Sequence, residues 1–193
     1  YFHQFTRNTL QLNNGDNTFS EIGRLAGVEA SDWSWGALFF DMDNDGLRDL
    51  FIANGIFRDL TDQDYLQYVS SEQVLMSIMS GEEVDYAKLV EIIPSRPVKN
   101  HAYINQGNLT FSNDNSTGLL MPSFSNGSAY GDLDNDGDLD LVVSNVNMPS
   151  FVYENHTDKK ESGNYIQFDL RGSGQNTMAI GTQIKVNDGN SDY

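Results

Sequence analysis

Short apolar runs alternate with clusters of Asp, Asn and Gly along most of the chain. Three of these runs are Ala37–Phe40, Leu50–Ala53 and Leu141–Val143. Apolar runs of this length, bounded by turn-forming residues, predict buried β-strands joined by tight turns. The hydrophobic pattern therefore predicts a mainly β fold.

The sequence also repeats itself. Ser34–Gly46 aligns with Ser125–Gly137, and Asn13–Phe19 aligns with Asn105–Phe111. Val152–Asn155 is similar to Ala102–Asn105 and begins a third, partial copy. Self-similarity at this spacing indicates a repeated supersecondary unit, which here consists of strands.

A different pattern interrupts the first repeat over residues 57–98. Thr61 and Asp62 form a helix start with a side-chain cap, and apolar residues follow at helical spacing. A second helix is indicated by Tyr86, Leu89 and Val90, and Pro94 ends it. We predict a helical insertion in a β repeat.

The C-terminal part has strict apolar alternation over Ile166–Leu170 and Ile180–Val186, which predicts a β hairpin. The polar stretch 156–163 precedes it. We therefore predict two domains, 1–155 and 156–193. Because the chain stops in a turn just after a strand pattern, we expect it to be part of a longer protein.

Composition narrows the possible partners. The chain has 193 residues and 38% hydrophobic content, which is enough for a core, and its net charge is −17. The electrostatic field of a chain with this negative charge repels phosphate backbones and anionic lipid, and favours the binding of divalent cations. The chain has no cysteine, which excludes disulfides and thiolate metal sites, and no apolar run long enough to cross a membrane. We expect no nucleic-acid partner and no membrane insertion.

The strongest chemical signal is the nonamer Asp-x-Asp-x-Asp-Gly-x-x-Asp, which occurs twice in repeat register. Carboxylates crowded in this way raise one another's pKa unless a cation lies between them. We predict one calcium site in each nonamer, with carboxylate ligands at positions one, three, five and nine and a backbone carbonyl at position seven. The ten predicted ligands are Asp41, Asp43, Asp45, Leu47 and Asp49 in the first loop, and Asp132, Asp134, Asp136, Asp138 and Asp140 in the second.

Calcium fits these loops better than the alternatives. Calcium takes six to eight oxygen ligands in flexible geometry, whereas magnesium keeps its waters and prefers rigid octahedral sites. An EF-hand loop closes with Glu at position twelve between helices, but Ile52 and Val143 hold that position here, and each loop leads into an apolar strand. Two alternatives stay open: acidic turns without metal, and calcium with a role beyond architecture.

These loops, together with the preceding Trp35-Gly36, resemble the FG-GAP/VCBS repeats of integrin-α-like β-propellers. The tail, Asn164–Leu170 followed by Ile180-Gly181, is similar to the opening of the ASPIC/UnbV domain that one branch of this family carries. The resemblance implies incomplete β-propeller-type blades with strand–calcium loop–strand hairpins, and a C-terminal hairpin from a second domain. It also implies an extracellular, cell-surface or periplasmic scaffold for adhesion to, or recognition of, a protein or glycan.

Catalysis has little support in the sequence. None of the three histidines has a nucleophile or metal-ligand spacing beside it. We expect a non-enzyme in which calcium is mainly structural. The alternative is an enzyme, or an accessory domain, acting on polysaccharide through a carboxylate outside the loops, such as Glu82 or Glu154.

Overall fold

The computed structural model of the chain describes residues 6–79, 86–114, 118–119, 121–157, 166–187 and 189. Nine strands and four helices lie within these residues. In chain order they are β1 (Gln11–Asn13), β2 (Phe19–Glu21), α1 (Gly23–Ala26), β3 (Ser34–Phe40), β4 (Asp49–Asn54), α2 (Gln63–Val69), α3 (Glu72–Met79), α4 (Tyr86–Glu91), β5 (His101–Asn105), β6 (Phe111–Asn113), β7 (Ser125–Gly131), β8 (Asp140–Asn145) and β9 (Phe151–Tyr153).

The strands form three antiparallel sheets. Strands β1 and β2 pair with each other, β3 to β6 form a four-stranded sheet in chain order, and β7 to β9 form a three-stranded sheet. The mainly β prediction is confirmed. A four-stranded antiparallel meander is the form of one propeller blade, and the two smaller sheets correspond to incomplete blades.

Strand pairing reproduces the sequence repeat residue for residue. Phe40 faces Asp49 where β3 meets β4, and Gly131 faces Asp140 at the same point of the second copy. Both pairings contain a register shift near the start of the first strand. Each nonamer thus lies in the connection between two neighbouring antiparallel strands, as predicted.

Strand β4 is buried on both faces, which explains why its sequence is apolar without alternation. Leu50 and Ile52 pack in a cluster with Ala26, Val28 and Tyr103. Phe51 and Ala53 point to the opposite face, and they pack in a larger cluster that includes residues of β8. Both nonamers therefore lead into strands that belong to the main core.

The helical insertion is confirmed between β4 and β5, with one more helix than predicted. Asp62 caps α2, since its side chain accepts a hydrogen bond from the backbone N–H of Tyr65 at 3.0 Å. Helix α2 ends at Val69, where the Ser70 hydroxyl donates to the Leu66 carbonyl at 2.7 Å. A hydroxyl bonded to the preceding turn competes with helix continuation, so the first predicted helix is divided into α2 and α3.

The chain divides into two compact units, Tyr1–Gly163 and Asn164–Tyr193. Within 166–187 of the second unit the backbone forms turns and irregular segments, and the predicted hairpin is not formed. Ile166 is 64% exposed and Ile180 is 81% exposed, so the alternating apolar positions bury little surface. An isolated two-stranded hairpin is marginally stable in water without a packed face, which is the physical reason for the difference.

Candidate metal centre

The first nonamer curls between β3 and β4 so that three of its carboxylates converge. Oxygens of Asp41, Asp43 and Asp49 all lie within 4.8 Å of one another. Asp45 is outside this group; its side chain accepts a hydrogen bond from the backbone N–H of Leu47 at 2.7 Å. The first loop therefore presents a three-carboxylate cluster with an all-oxygen donor set.

The second nonamer forms a similar cluster from a slightly different set of positions. Oxygens of Asp132, Asp134 and Asp136 lie within 4.8 Å of one another. Asp138 and Asp140 are buried and are not members of this group. The two loops thus share positions one and three and differ in their third carboxylate.

Two left-handed residues produce the tight curl in each loop. Asn44 and Gly46 have φ of 57° and 87° in the first loop, and Asn135 and Gly137 have φ of 65° and 96° in the second. Asn and Gly adopt this region at the lowest cost among the amino acids. The pattern Asn-Asp-Gly at positions four to six is therefore a requirement of the backbone.

Asp49, at position nine, connects three parts of the first repeat. Its Oδ2 accepts a hydrogen bond from the backbone N–H of Met42 at 2.9 Å, and its Oδ1 accepts one from the backbone N–H of Asn105 at 2.8 Å. Since each carboxylate oxygen has two lone pairs, these bonds leave room for a cation. The predicted ligand is thus also the group that closes the loop and holds it to β5.

Asp140 has the same arrangement in the second repeat. Its Oδ2 accepts from the backbone N–H of Leu133 at 2.9 Å, and its Oδ1 accepts from the backbone N–H of Asn155 at 2.9 Å. We call each set, the ninth aspartate with its two amide donors, a carboxylate bracket. Asn105 and Asn155 align the repeats in the sequence but were not among the predicted site residues, although their recurrence at or just after the end of a strand was the available signal.

Position seven differs in the two loops. Leu47 holds it in the first loop and is 38% exposed, whereas Asp138 holds it in the second and is fully buried. At this position only the backbone carbonyls were predicted as ligands. Metal coordination by those carbonyls stays a prediction, and the burial of the Asp138 side chain is a feature of the second loop alone.

Burial dominates the electrostatics of the first cluster. It raises the pKa of the Asp49 carboxyl to about 6, against the two backbone hydrogen bonds that lower it, and the neighbouring Asp43 and Asp45 carboxylates raise it further. In the second loop, desolvation is again the main cause that raises the pKa of Asp134; the backbone N–H of Asp136 lowers it, and the Asp136 carboxylate raises it. A bound cation would favour the charged form of both groups.

The donor sets fit a hard divalent cation. Both clusters offer only oxygens, the ligands of calcium and magnesium. Oδ1 of Asp132 is buried and has no hydrogen-bond partner among the described residues, although Asp132 is a member of the second cluster. A buried, unsatisfied carboxylate oxygen is costly, and a cation within the cluster removes that cost.

The structure and the family comparison agree on the repeat. A family model described as FG-GAP-like repeat matches residues 2–52 and 89–143, which together form more than half of the chain. The chain belongs to the FG-GAP-like repeat family. Both matched segments end three residues after a nonamer, at Ile52 in β4 and at Val143 in β8. Each FG-GAP-like match therefore contains a hairpin from one sheet (β1–β2 or β5–β6) and the first two strands of the next sheet (β3–β4 or β7–β8).

No curated protein matches the chain. Among the described residues, no helix has both the length and the apolar character that a membrane crossing requires.

In metal-free buffer, we expect Asp49 to contribute an increase in the free energy of unfolding as the pH falls from 7 to 5. The pKa of Asp49 is about 6 in the folded chain and 3.8 in its ordinary state, so in this window the folded chain binds a proton that the unfolded chain does not. This stabilisation is complete below about pH 4 and is lost as the pH rises through about 6. Urea denaturation at pH 7, 6 and 5 measures it.

The control for this pH dependence is Asp49→Asn, which cannot ionise and should remove the Asp49 contribution. The lowered pKa values of Asp16, Glu21 and Asp59 affect stability only below their ordinary values, so they do not contribute between pH 5 and 7. Burial lowers the pKa of His101 from 6.5, which destabilises the folded chain as the pH falls through this window, so the Asp49 contribution is the difference between the native chain and Asp49→Asn. A pH dependence that is the same in Asp49→Asn as in the native chain would contradict the assignment to Asp49.

Proposed function

We propose that this FG-GAP-like repeat protein is a calcium-binding scaffold for adhesion or recognition, in which calcium is mainly structural. The observation that carries the proposal is the pair of carboxylate clusters on equivalent loops of two repeats. Position one of each nonamer directly follows a strand and position nine begins the next strand. A cation bound there holds the ends of two neighbouring strands together.

Asp41, Asp43 and Asp49 would hold the cation in the first loop, and Asp132, Asp134 and Asp136 would hold it in the second. Calcium supplies charge neutralisation and coordination by six to eight oxygens. Asp45, Leu47, Asp138 and Asp140 stay in the proposed ligand sets as the remaining positions of the nonamers. The proposal needs no reaction at either loop.

We place the protein outside the cytosol, at the cell surface, in the extracellular space or in the periplasm. FG-GAP-like repeats suggest this setting, and we include the ASPIC/UnbV-containing branch in the same proposal. Calcium outside the cytosol is abundant enough to fill sites with dissociation constants of about 10⁻⁴–10⁻³ M. Weak sites in these loops would therefore be occupied in that setting.

We propose a protein or a glycan as the partner. A groove of about 540 Å³ beside α2 and α3, and another of about 660 Å³ near the start of β3, lie on the described surface. The second groove is lined by Trp33 together with Arg7 and Asp32, a combination of aromatic and charged groups that suits a polar ligand. Trp35 is 54% exposed next to Trp33, and the two ring centroids lie 6.4 Å apart.

The calcium part is tested by calorimetric titration of metal-free protein. We expect two calcium ions per chain for the native sequence and one for each of two double variants, Asp41→Asn with Asp43→Asn and Asp132→Asn with Asp134→Asn. Asp16→Asn is the control, since it removes an exposed carboxylate in the turn between β1 and β2. No uptake at millimolar calcium, or an unchanged stoichiometry in both double variants, would overturn the proposal.

The proposal that the protein is not an enzyme is tested separately. Turnover of a polysaccharide by the chain, lost on replacement of Glu154, would favour the enzyme alternative. Glu154 is exposed and lies after β9. Glu82, the other carboxylate considered, lies outside the described residues.

A further inference from the structure

The peptide groups of Met42 are held from two different repeats. Met42 lies between Asp41 and Asp43, and its N–H donates to Asp49 in the bracket of its own loop. Its carbonyl accepts a hydrogen bond from Nδ2 of Asn155 at 2.8 Å. The hydroxyl oxygen of Thr157, which is 4% exposed, lies 3.2 Å from the same carbonyl.

Asn155 belongs to the bracket of the second loop at the same time. Its N–H donates to Oδ1 of Asp140 at 2.9 Å, and the other oxygen of Asp140 accepts from the N–H of Leu133. Leu133 lies between Asp132 and Asp134, just as Met42 lies between the first two aspartates of its own loop. A continuous path of hydrogen bonds thus joins the two carboxylate clusters through one asparagine.

Thr157 fixes the orientation that Asn155 needs for this double role. Its hydroxyl lies 2.8 Å from Oδ1 of Asn155, and the N–H of His156 donates to the same Oδ1, also at 2.8 Å. With Oδ1 accepting these bonds, the Nδ2 group is left pointing at the Met42 carbonyl. Thr157 is therefore a positioning residue for the path.

The equivalent asparagine of the first repeat provides a comparison. Nδ2 of Asn105 donates to the carbonyl of Arg48 at 2.9 Å, inside its own repeat. Nδ2 of Asn155 makes the corresponding contact to Leu139 at 3.3 Å and adds the shorter bond to Met42. In the described chain, the bond that crosses between repeats is thus made by the second asparagine.

We propose that the two loops bind calcium with positive coupling, and that Asn155 transmits it. The inference rests on the proposed calcium sites. A cation in the second loop draws Asp132 and Asp134 together and orders the bracket that orients Asn155. That order fixes the Met42 carbonyl and so pre-forms the first loop, and by thermodynamic linkage the first loop favours the second to the same extent.

The test is a calcium titration of the whole chain followed by ¹H–¹⁵N NMR. The amides of Gly46 and Gly137, at position six of each nonamer, report the two loops separately. In the native chain, disabling the second loop with Asp132→Asn and Asp134→Asn should raise the calcium midpoint at Gly46 about fivefold or more, the usual lower range of coupling between sites. In an Asn155→Ala background the same double substitution should leave the Gly46 midpoint unchanged.

Asn105→Ala is the matched control. It weakens the first loop by removing the contact to Arg48, and it should preserve the ratio of Gly46 midpoints with and without the second loop. Thr157→Val removes the hydroxyl with little change in shape and should reduce the ratio. If the spectrum shows that Asn155→Ala is unfolded, Thr157→Val alone tests whether the coupling passes through Asn155.

The possible outcomes are distinct. Calcium-induced shifts at neither glycine would overturn the proposed function itself. Shifts at both glycines with midpoints that ignore the state of the other loop would leave the calcium sites intact and overturn the coupling. Coupling that persists in both Asn155→Ala and Thr157→Val would also overturn the assignment to this path.

Discussion

Calcium should raise the thermal unfolding midpoint of the metal-free chain by about 10 °C or more when both sites are filled. At about one hundred times the dissociation constant, a cation that binds only the folded chain stabilises it by about 2.7 kcal/mol for each site. For a chain of this length, each kcal/mol corresponds to about 2–4 °C. The physical reason is the repulsion among carboxylates that converge within 4.8 Å in each loop, together with the buried Asp132 oxygen that has no hydrogen-bond partner among the described residues. Circular dichroism melts in chelator and in calcium measure the shift.

Two controls make this melt specific. Magnesium at the same concentration should give a smaller shift, because it keeps its waters and tolerates irregular oxygen sites poorly. A chain with both loops disabled, by asparagine at positions 41, 43, 132 and 134, should show no calcium shift. Equal shifts with both metals, or a shift that survives in the disabled chain, would show that the ions act elsewhere on this strongly acidic surface.

Phe51→Ala should lower the free energy of unfolding by about 3–5 kcal/mol, the usual cost of removing a buried phenylalanine. Phe51 has no exposed surface, and it packs in the cluster that joins β4 to β8, with Phe40, Leu141 and Val143 among its members. The cavity left by the ring would lie where the sheet of β3 to β6 meets that of β7 to β9. Urea denaturation in saturating calcium measures the loss.

Phe19→Ala is the matched control for this substitution. Phe19 lies on β2 and is 63% exposed, so its removal should change the free energy of unfolding by about 0.5 kcal/mol or less. Similar losses for the two variants would show that the cluster around Phe51 does not form the main core. A large loss at Phe51 alone supports the assignment of β4 to the main core.

The local part of the candidate site follows from nine consecutive residues. Alternate aspartates converge because the left-handed residues at positions four and six curl the loop, and those residues are Asn and Gly in both copies. The apolar residues that follow position nine place the loop at the start of a buried strand. For this reason the strand–loop–strand units and the helical insertion could be predicted without coordinates.

Other features depend on contacts between distant parts of the chain. Asp49 forms a carboxylate bracket because Asn105 lies beside it on the neighbouring strand. The Met42 carbonyl is held because Asn155 and Thr157 approach it from the second repeat. The alternation at Ile166–Leu170 predicts a strand, yet the described structure has none there, because a strand also needs a partner and a surface to cover. Periodicity contains no information on either requirement.

The sequence by itself determined the repeat, the mainly β class and the two acidic loops, because each depends on residues within a few positions of one another. The tertiary structure alone decided which carboxylates converge, which of them are buried, and that one asparagine joins the two loops. Convergence, burial and hydrogen bonding across repeats arise when sheets pack on each other. That packing brings together residues more than one hundred positions apart, such as Met42 and Asn155.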